Sequence, residues 1–400
     1  MFEIKGKFAT AVCYASVCED QAVQQIKTMC DMPFADGSRI RIMPDVHAGT
    51  GCTIGTTMTI TDKAVPNIVG VDIGWGMYTV ELNEKEIDLP KLDAVVHQIP
   101  CGMNVWDKPQ KPFPLGTLCC YKELHDVDRL ACSLGTLGGG NHFIEIDRAM
   151  NGDLFLVIHS GSRNLGKQVA EIYQKKAISL HGAKAVRNMD ISSVIQDLKA
   201  QGRQSEIEET IKRIKADAYK SAIPDDLCWV DGQAFSDYLF DMDVCQTFAV
   251  KSRELMASYI LEHAGLTAKS AFHTIHNYID INDRIIRKGA ISAKDGELLL
   301  IPINMRDGSI FGVGRGNPEW NFSAPHGAGR IMSRNAARAN ISMDDFSQAM
   351  QGIYTTTAVP ETIDEAPMAY KGLNDILDNI RDTVDVLCIL KPIYNFKAAE

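Results

Sequence analysis

The sequence predicts an α+β fold, with a β-rich core whose glycine turns surround a cleft and with one mainly helical insertion. Short apolar and β-branched runs bounded by turn residues fill residues 1–80 and return after residue 274, as is typical of strands. The region between differs, because its apolar positions recur at helical spacing. We therefore interpret residues 1–400 as a single domain with a mainly helical insertion at about 170–265.

Predicted strands carry two of the candidate site residues. In the first half of the chain they are Arg39–Met43, Thr53–Ile60, Pro66–Gly74 and Asp153–His159. The third run ends in glycines, so we expect Asp72 at a strand end. The fourth has the same form and brings His159 to the end of its strand. Ligands on turns at strand ends are a common arrangement in binding sites.

Helices are predicted in the insertion and near the end of the sequence. Isoleucines at helical spacing indicate one helix within residues 192–221, and Pro224 ends it. A second helix is predicted for Phe235–Glu262. A short helix near Leu373–Ile380 and a strand over Val384–Leu390 follow later.

The composition narrows the class of protein. A net charge of −10 argues against binding nucleic acid through bulk surface charge, although a local basic groove is compatible with it. The 11 cysteines form no CxxC pair, and the sequence contains no secretory leader and no apolar run of membrane-spanning length. We therefore expect a cytoplasmic protein with free thiols and no membrane partner.

Histidines in glycine-, asparagine- or aspartate-rich turns are the most informative feature. Five of the ten histidines lie in such turns: His47, His142, His159, His276 and His326. Neutral imidazole and the carboxylate of Asp72 are ligands for divalent metals, and imidazole also acts as a nucleophile and proton carrier. Taken singly, His159 and His276 are more often core residues than ligands. Together the five predict a site.

Two further motifs leave alternatives open. Asp45 and His47 share one face of a strand, where they either orient metal ligands or form a plain turn. The run Gly138–Gly140 before Asn141–Glu145 is either an anion-binding concavity beside His142 or a flexible turn.

The segment His326–Arg330 precedes a helix-like run, Ile331–Arg338. A glycine turn that opens a helix would place backbone N–H groups and a positive helix end beside His326. There His326 would act as a nucleophile toward a nucleoside triphosphate; a helix cap and a third metal ligand are the alternatives.

These residues resemble those of the RtcB family of GTP-dependent RNA ligases. The matching stretches are Met43–His47, Val69–Gly74, Gly139–Glu145, His159–Arg163, His276–Asn277, His326–Arg330, Asp364–Pro367, Ala369–Lys371 and Lys397. They follow the order of the family from about residue 40 onward. The resemblance implies an RtcB-type fold around a manganese and nucleotide cleft.

The resemblance also implies a reaction. RNA ends that carry a 3'-phosphate or 2',3'-cyclic phosphate are joined to 5'-hydroxyl ends, in RNA repair or tRNA splicing. His326 attacks the α-phosphate of GTP and becomes guanylylated, the guanylate moves to the RNA 3'-phosphate, and the 5'-hydroxyl displaces GMP. The partners are therefore RNA ends and GTP, and an activating protein partner stays open.

By motif, the resemblance assigns residues to two sets. The manganese ligands, for one or two ions, are Asp72, His142, His159 and His276. The GTP-binding residues are Asn141, His142, Phe143, Ile144, Glu145, His276, Asn277, Pro302, Ile303, Asn304, Met305, Ser309, His326, Gly327, Ala328, Gly329 and Lys397.

Two departures from the family pattern stand out. Trp75 occupies the place of a cysteine whose thiolate bridges the two metals, and an indole is no metal ligand. Cys52 is a nearby substitute ligand, or one ion is weakened or lost. The loop Ile303–Ser309 gains a charge pair and loses glycines. Two rival functions follow, a self-guanylylating protein that does not ligate and a silent protein that binds RNA ends.

Overall fold

The computed structural model describes residues 1–182, 191–220 and 223–398. Within these ranges the chain has the mixed α+β architecture that the sequence predicts. The strands are β1 (Phe2–Lys5), β2 (Thr10–Cys13), β3 (Ile40–His47), β4 (Ile54–Thr59), β5 (Gly76–Leu82), β6 (Phe143–Arg148), β7 (Leu154–Ser160), β8 (Ala268–Ile275), β9 (Asn277–Asp280), β10 (Ile285–Lys288), β11 (Ala290–Ser292), β12 (Leu298–Asn304), β13 (Gly308–Gly314), β14 (Ser323–Pro325) and β15 (Val384–Lys397).

Most of the helical residues in the described ranges lie in the middle of the chain. The helices are α1 (Asp20–Cys30), α2 (Pro66–Val69), α3 (Leu89–Val96), α4 (Val127–Cys132), α5 (Arg163–His181), α6 (Ser192–Ala200), α7 (Ile207–Lys220), α8 (Gly232–Ala264), α9 (Arg334–Asn340), α10 (Met343–Ala349) and α11 (Leu373–Leu377). Helices α5 to α8 lie where the sequence predicts the helical insertion. None of the helices in the described ranges is long and apolar enough to cross a membrane.

Two large sheets organise the strands. One has the order β1-β2-β3-β4-β10-β9, and the other has the order β12-β13-β15-β6-β7-β5-β8. A two-stranded sheet of β11 and β14 accompanies them. The second large sheet is antiparallel throughout, and its interior strand β15 lies far from β6 and β7 in the sequence. Residues remote in sequence therefore become neighbours along β6, β7 and β15.

Apolar side chains hold helices against both large sheets. Ile40 and Ile42 of β3 share one buried cluster with residues of α1, α5 and α8. Ile144 and Ile146 of β6 belong to a second cluster, which includes residues of α3 and of the later part of α8. The long helix α8 therefore contributes to both clusters, which fixes the relative position of the two sheets.

Two local predictions were wrong. Pro66–Gly74 is the short helix α2 followed by a turn, so Asp72 lies in the turn before β5 and not at a strand end. Pro66 is the first residue of α2, a position that suits proline, and a short apolar run does not by itself distinguish helix from strand. The other error concerns the helix after His326, which begins only at Arg334, with Ser333 as its cap.

Candidate active site

A cleft is lined by β6, β7 and β15 and by the turns after β12 and β14. It collects most residues that the sequence indicates for nucleotide binding. These are Asn141, Phe143, Glu145, His276, Pro302, Ile303, Asn304, Met305, His326, Gly327, Ala328, Gly329 and Lys397. His159, predicted as a metal ligand, lines the same cleft. The structure thus brings two of the four predicted metal ligands, His159 and His276, next to most of the predicted nucleotide set.

Strand pairing explains how these residues meet. Phe143 of β6 pairs with His159 of β7 on one side and with Lys397 of β15 on the other. Successive residues of a strand point to opposite faces. Phe143 and Glu145 therefore face the cleft, whereas Ile144 between them faces the core.

Three buried imidazoles lie beside this strand pair. The Nε2 atoms of His159 and His276 are 2.9 Å apart. Nδ1 of His142 donates to the carbonyl of Gly139 at 2.6 Å, and Nδ1 of His159 donates to the carbonyl of Asn141 at 3.1 Å. Because a carbonyl only accepts, both rings keep a lone pair on Nε2. Backbone contacts of this kind orient imidazoles for metal binding.

The protonation of these imidazoles suits a ligand role. Burial lowers the pKa of His159 to about 3 and lowers the pKa of His142 and His276 well below the ordinary value. All three are therefore neutral near pH 7, the form that binds metal. Within the described residues, the buried Nε2 of His142 has no hydrogen-bond partner, which leaves a lone pair for a ligand.

His326 is held by a buried carboxylate. Its Nδ1 lies 2.7 Å from Oδ2 of Asp45, which is fully buried in β3. The carbonyl of Asp45 also accepts a hydrogen bond from Nδ1 of His47 at 3.0 Å. Because the Nδ1–H group of His326 donates a hydrogen bond to Asp45, the lone pair of His326 stays on Nε2, where it can act as a nucleophile. The sequence left two interpretations of Asp45 and His47 open, a role in the site and a plain turn. This contact agrees with a role in the site, although Asp45 orients the proposed nucleophile His326 and not a predicted metal ligand.

A second carboxylate, Glu365, lies in a cluster of opposite charges on the cleft wall. It accepts from Tyr370 at 2.6 Å and forms ion pairs with Lys397 at 3.1 Å, Arg330 at 3.1 Å and Arg334 at 3.3 Å. Burial alone would raise the pKa of Glu365, but these cations hold it at about 2. The cluster fixes Lys397 in position at the wall.

Glu145 is a third buried carboxyl group of the wall. Burial and the neighbouring Asp147 raise its pKa well above the ordinary value, while Lys397 opposes the shift. Its Oε1 atom has no hydrogen-bond partner within the described residues. Glu145 is therefore ready to accept an N–H donor from a ligand, because such a bond would offset the cost of its burial.

Trp75 separates the cleft from a second cavity of about 330 Å³. Its ring centroid lies 4.5 Å from that of His142, 5.9 Å from that of His159 and 6.5 Å from that of His276, in each case edge to face. Asp72 and His142 line the second cavity, whereas His159 and His276 line the cleft. The four predicted metal ligands are thus divided between two cavities.

Four predicted nucleotide residues do not line the cleft, and His142, in the second cavity, is one of them. Ile144 is in the core, and Asn277 accepts from the backbone N–H of Gly289 at 2.8 Å. Ser309 is buried on β13, where its hydroxyl contacts Asp147. Cys52 is also absent from both cavities, since its thiol points to the carbonyls of Thr53 and Ile68.

The structure adds residues to the cleft that the motif assignments left out. They are His47, Met77, Arg330, Arg334, Glu365, Tyr370 and Asn395. Glu365 and Tyr370 fall within matched stretches, so the family pattern could have indicated them. Arg330 lies outside α9, which begins at Arg334, and it contacts Glu365.

The loop that departs from the family pattern is a tight turn between β12 and β13. Arg306 and Asp307 form the expected charge pair, with Nε and Oδ1 at 3.0 Å. Asn304 closes the turn, because its Oδ1 accepts from the backbone N–H groups of both residues at 3.0 and 2.8 Å. Side-chain hydrogen bonds therefore stabilise this wall of the cleft.

Comparisons with known proteins agree with the geometry. A family model described as "tRNA-splicing ligase RtcB" matches residues 25–112 and 121–398. The "RNA-splicing ligase RtcB" of Escherichia coli (strain K12) is 28% identical over 94% of this chain and 93% of its own length. The "RNA-splicing ligase RtcB2" of E. coli (strain ATCC 25922) is 24% identical over 90% of this chain and 86% of its own. The "tRNA-splicing ligase RtcB" of Aeropyrum pernix is 26% identical over 84% of this chain and 82% of its own. Because the family model covers most of the chain, this protein belongs to the RtcB family.

Proposed function

We propose that this protein is a GTP- and manganese-dependent RNA ligase. It joins RNA ends with a 3'-phosphate or 2',3'-cyclic phosphate to 5'-hydroxyl ends through a guanylylated His326, and it acts in RNA repair or tRNA splicing. The names of its relatives support ligation of RNA. The observation that carries the proposal is the contact between His326 and the buried carboxylate of Asp45 at the cleft.

The first step follows from this contact. Asp45 accepts a hydrogen bond from Nδ1–H of His326, so that the Nε2 lone pair is available to attack the α-phosphate of GTP. A bond forms between Nε2 and the α-phosphorus, the bond from that phosphorus to the bridging oxygen breaks, and pyrophosphate leaves. The RNA 3'-phosphate then accepts the guanylate from His326, and the 5'-hydroxyl displaces GMP.

The cleft offers groups that suit a guanine base. Lys397 is a donor for the acceptor oxygen O6, and Glu145 is an acceptor for the amino group N2. Their separation along the wall is fixed by the pairing of β6 with β15. The buried carboxyl of Glu145 would favour a base that carries N–H donors and disfavour one that does not.

His159 and His276 are the side chains that would hold a manganese ion at this cleft. A bound ion would supply positive charge next to the phosphates, where it offsets the charge that develops during transfer. His276 also lies close to His326, with ring centroids 4.8 Å apart. The residues that hold the ion and the proposed nucleophile are thus neighbours.

Incubation with α-labelled GTP and Mn²⁺ tests the proposal. We expect a label that survives denaturation, disappears in His326→Ala and is released when RNA with a 3'-phosphate is supplied. Joining of that RNA to a 5'-hydroxyl RNA should accompany the release. Absence of any covalent label in the parent protein would sink the proposal.

A second candidate rests on Trp75, which stands among the imidazoles. If the missing thiolate impairs ligation, the protein would guanylylate itself or bind RNA ends without joining them. A label on His326 that never appears in joined RNA would favour the self-guanylylating form. RNA binding without any label would favour the silent form.

A further inference from the structure

We infer that the active cleft holds one divalent ion, bound by His159 and His276, and that Trp75 excludes a second ion from Asp72 and His142. The inference deepens the proposed function, because it concerns the metal of the same cleft. It concerns the number and the place of the ions, both of which are measurable without any RNA. Four observations lead to it.

The first observation is the position of Trp75. The edge-to-face contacts with His142, His159 and His276 place the indole among all three imidazoles. An ion shared between His142 and the other two histidines would have to lie against this ring. Because an indole offers only a donor, it excludes an ion without replacing a ligand.

The second observation is that the indole is fixed. The backbone carbonyl of Trp75 accepts from the backbone N–H of His276 at 2.9 Å, and the backbone N–H of Trp75 donates to the carbonyl of Asp72 at 3.2 Å. Gly161 makes room for the ring, since any Cβ there would overlap the indole. Arg253 donates to the carbonyls of the flanking residues Gly74 and Ser160, at 2.8 and 2.6 Å. The hydrogen bonds fix the backbone of Trp75, and packing against Gly161 and the three imidazoles holds the ring.

The third observation is the geometry of the cleft side. Two nitrogen ligands at right angles, each about 2.1 Å from one ion, are about 3 Å apart. The Nε2 atoms of His159 and His276 have this separation, 2.9 Å. Nδ1 of His159 donates to a carbonyl, so its Nε2 presents a lone pair. In the metal-free protein His276 therefore donates to His159, and an ion between them requires His276 to carry its proton on Nδ1.

The fourth observation is the charge of the other side. The cavity with Asp72 and His142 is also lined by Arg129, Arg163 and Lys167, against a further acid, Asp126. The side chains of this cavity thus carry three positive and two negative charges. A divalent ion bound here would add positive charge, and Trp75 supplies no thiolate to offset it. Among the described residues, the Arg163 guanidinium donates to neutral oxygens, those of Gly102 and Thr136. A second cation in this cavity is therefore opposed by charge as well as by the indole.

Counting manganese ions on the full-length chain tests the inference. The purified protein is stripped with chelator and titrated with Mn²⁺, and the free ion is followed by its paramagnetic resonance signal. We expect a plateau of one ion per chain. Trp75→Cys should raise the plateau to two, a twofold change, whereas the matched variant Trp75→Phe, which keeps a ring in place, should leave it at one.

Ligand variants locate the ion. His159→Ala and His276→Ala should abolish the plateau, whereas Asp72→Asn and His142→Ala should retain it, with far-UV dichroism as the control for folding. If His159→Ala does not fold, His276→Gln provides the same test. A parent plateau of two or of zero, or a plateau lost in Asp72→Asn, would overturn the inference.

The outcome is separable from that of the proposed function. A parent protein that binds one ion but never labels or joins RNA would contradict the function and leave the ion count standing. A parent that joins RNA with two ions would do the reverse.

Discussion

Two buried carboxylates of this active site, Asp45 and Glu365, have opposite surroundings. Asp45 contacts one imidazole through Oδ2, and its Oδ1 has no hydrogen-bond partner in the described residues. Glu365 contacts three cations and a phenol, which satisfy both of its oxygens. The comparison shows two uses of a buried carboxylate. Asp45, with one imidazole as its partner, sets which nitrogen of His326 carries the proton. Glu365, among several cations, holds the wall of the cleft together.

The largest expected effect is on chemistry at Asp45. In Asp45→Asn the amide no longer draws the proton of His326 to Nδ1, so the nucleophilic lone pair is lost from Nε2. We expect the rate of His326 guanylylation to fall by about 100-fold or more, in the range of a lost acid–base partner. A single-turnover labelling experiment measures it, with the exposed Asp62→Asn as the control. An unchanged rate would show that Asp45 does not orient His326.

The next effect is on stability at Glu365. Glu365→Gln leaves Lys397, Arg330 and Arg334 without their shared anion, and removal of one partner from a buried charge cluster costs about 3–5 kcal/mol. Urea unfolding should show this loss in the free energy of unfolding. Glu361 is exposed and lies with Glu365 in the short 3-10 helix Pro360–Glu365, and Glu361→Gln should unfold like the parent. Equal stability of both variants would mean that the cluster does not hold the wall.

The buried His159 and Glu365 should affect the free energy of unfolding in different pH ranges. The pKa of His159 is lowered to about 3, so its stabilising contribution, present above pH 6.5, is lost progressively below that pH. Glu365, whose pKa is about 2, begins to lose its contribution only below pH 4.5. Between pH 6.5 and 4.5, we expect His159→Gln to change the pH slope of metal-free unfolding by about 1.4 kcal/mol per pH unit.

The control for this pH series is Glu365→Gln, which should shift the whole curve in that window and keep its slope. Unfolding in urea at several pH values with chelator present measures both variants. Identical slopes in His159→Gln and the parent protein would contradict the neutral, buried state of His159.

The smallest expected effect tests whether the Glu365 cluster depends on α9. Ser333 caps this helix by accepting from the N–H of Ala336 at 3.2 Å, and Arg334 follows it directly. Ser333→Ala should lower the free energy of unfolding by about 1 kcal/mol, the usual value of a lost cap. Ser342→Ala, at the cap of α10, is the matched control.

The two cap variants should differ in GTP affinity. Loss of the α9 cap should weaken the binding of GTP through Arg334, whereas loss of the α10 cap should not. Equal affinities in an equilibrium binding measurement would show that the cluster is independent of α9.

Local patterns predicted much of the fold and part of the site. The strand that carries His159 is a short continuous apolar run, the helix over Phe235–Glu262 has apolar residues at helical spacing, and the structure contains both. Helix α1 was missed, although Ala22, Ile26 and Met29 have readable helical spacing. The contact between Asp45 and His326 spans 281 positions, and no local pattern predicts such a pair. Likewise, the sequence of the helix does not distinguish Arg253 from its exposed charged neighbours, and only the tertiary structure shows that it is buried.

The insertion of β15 between β13 and β6 has a consequence for biosynthesis. Lys397 reaches the carbonyl of Asn141 across 256 positions of sequence. While a nascent chain stops short of β15, strand β6 has an open edge beside Glu145 and the cleft lacks one wall. Such long-range pairing is also slow to form. The cleft is therefore completed only once β15 has been synthesised, so the reaction proposed for GTP cannot begin before that point.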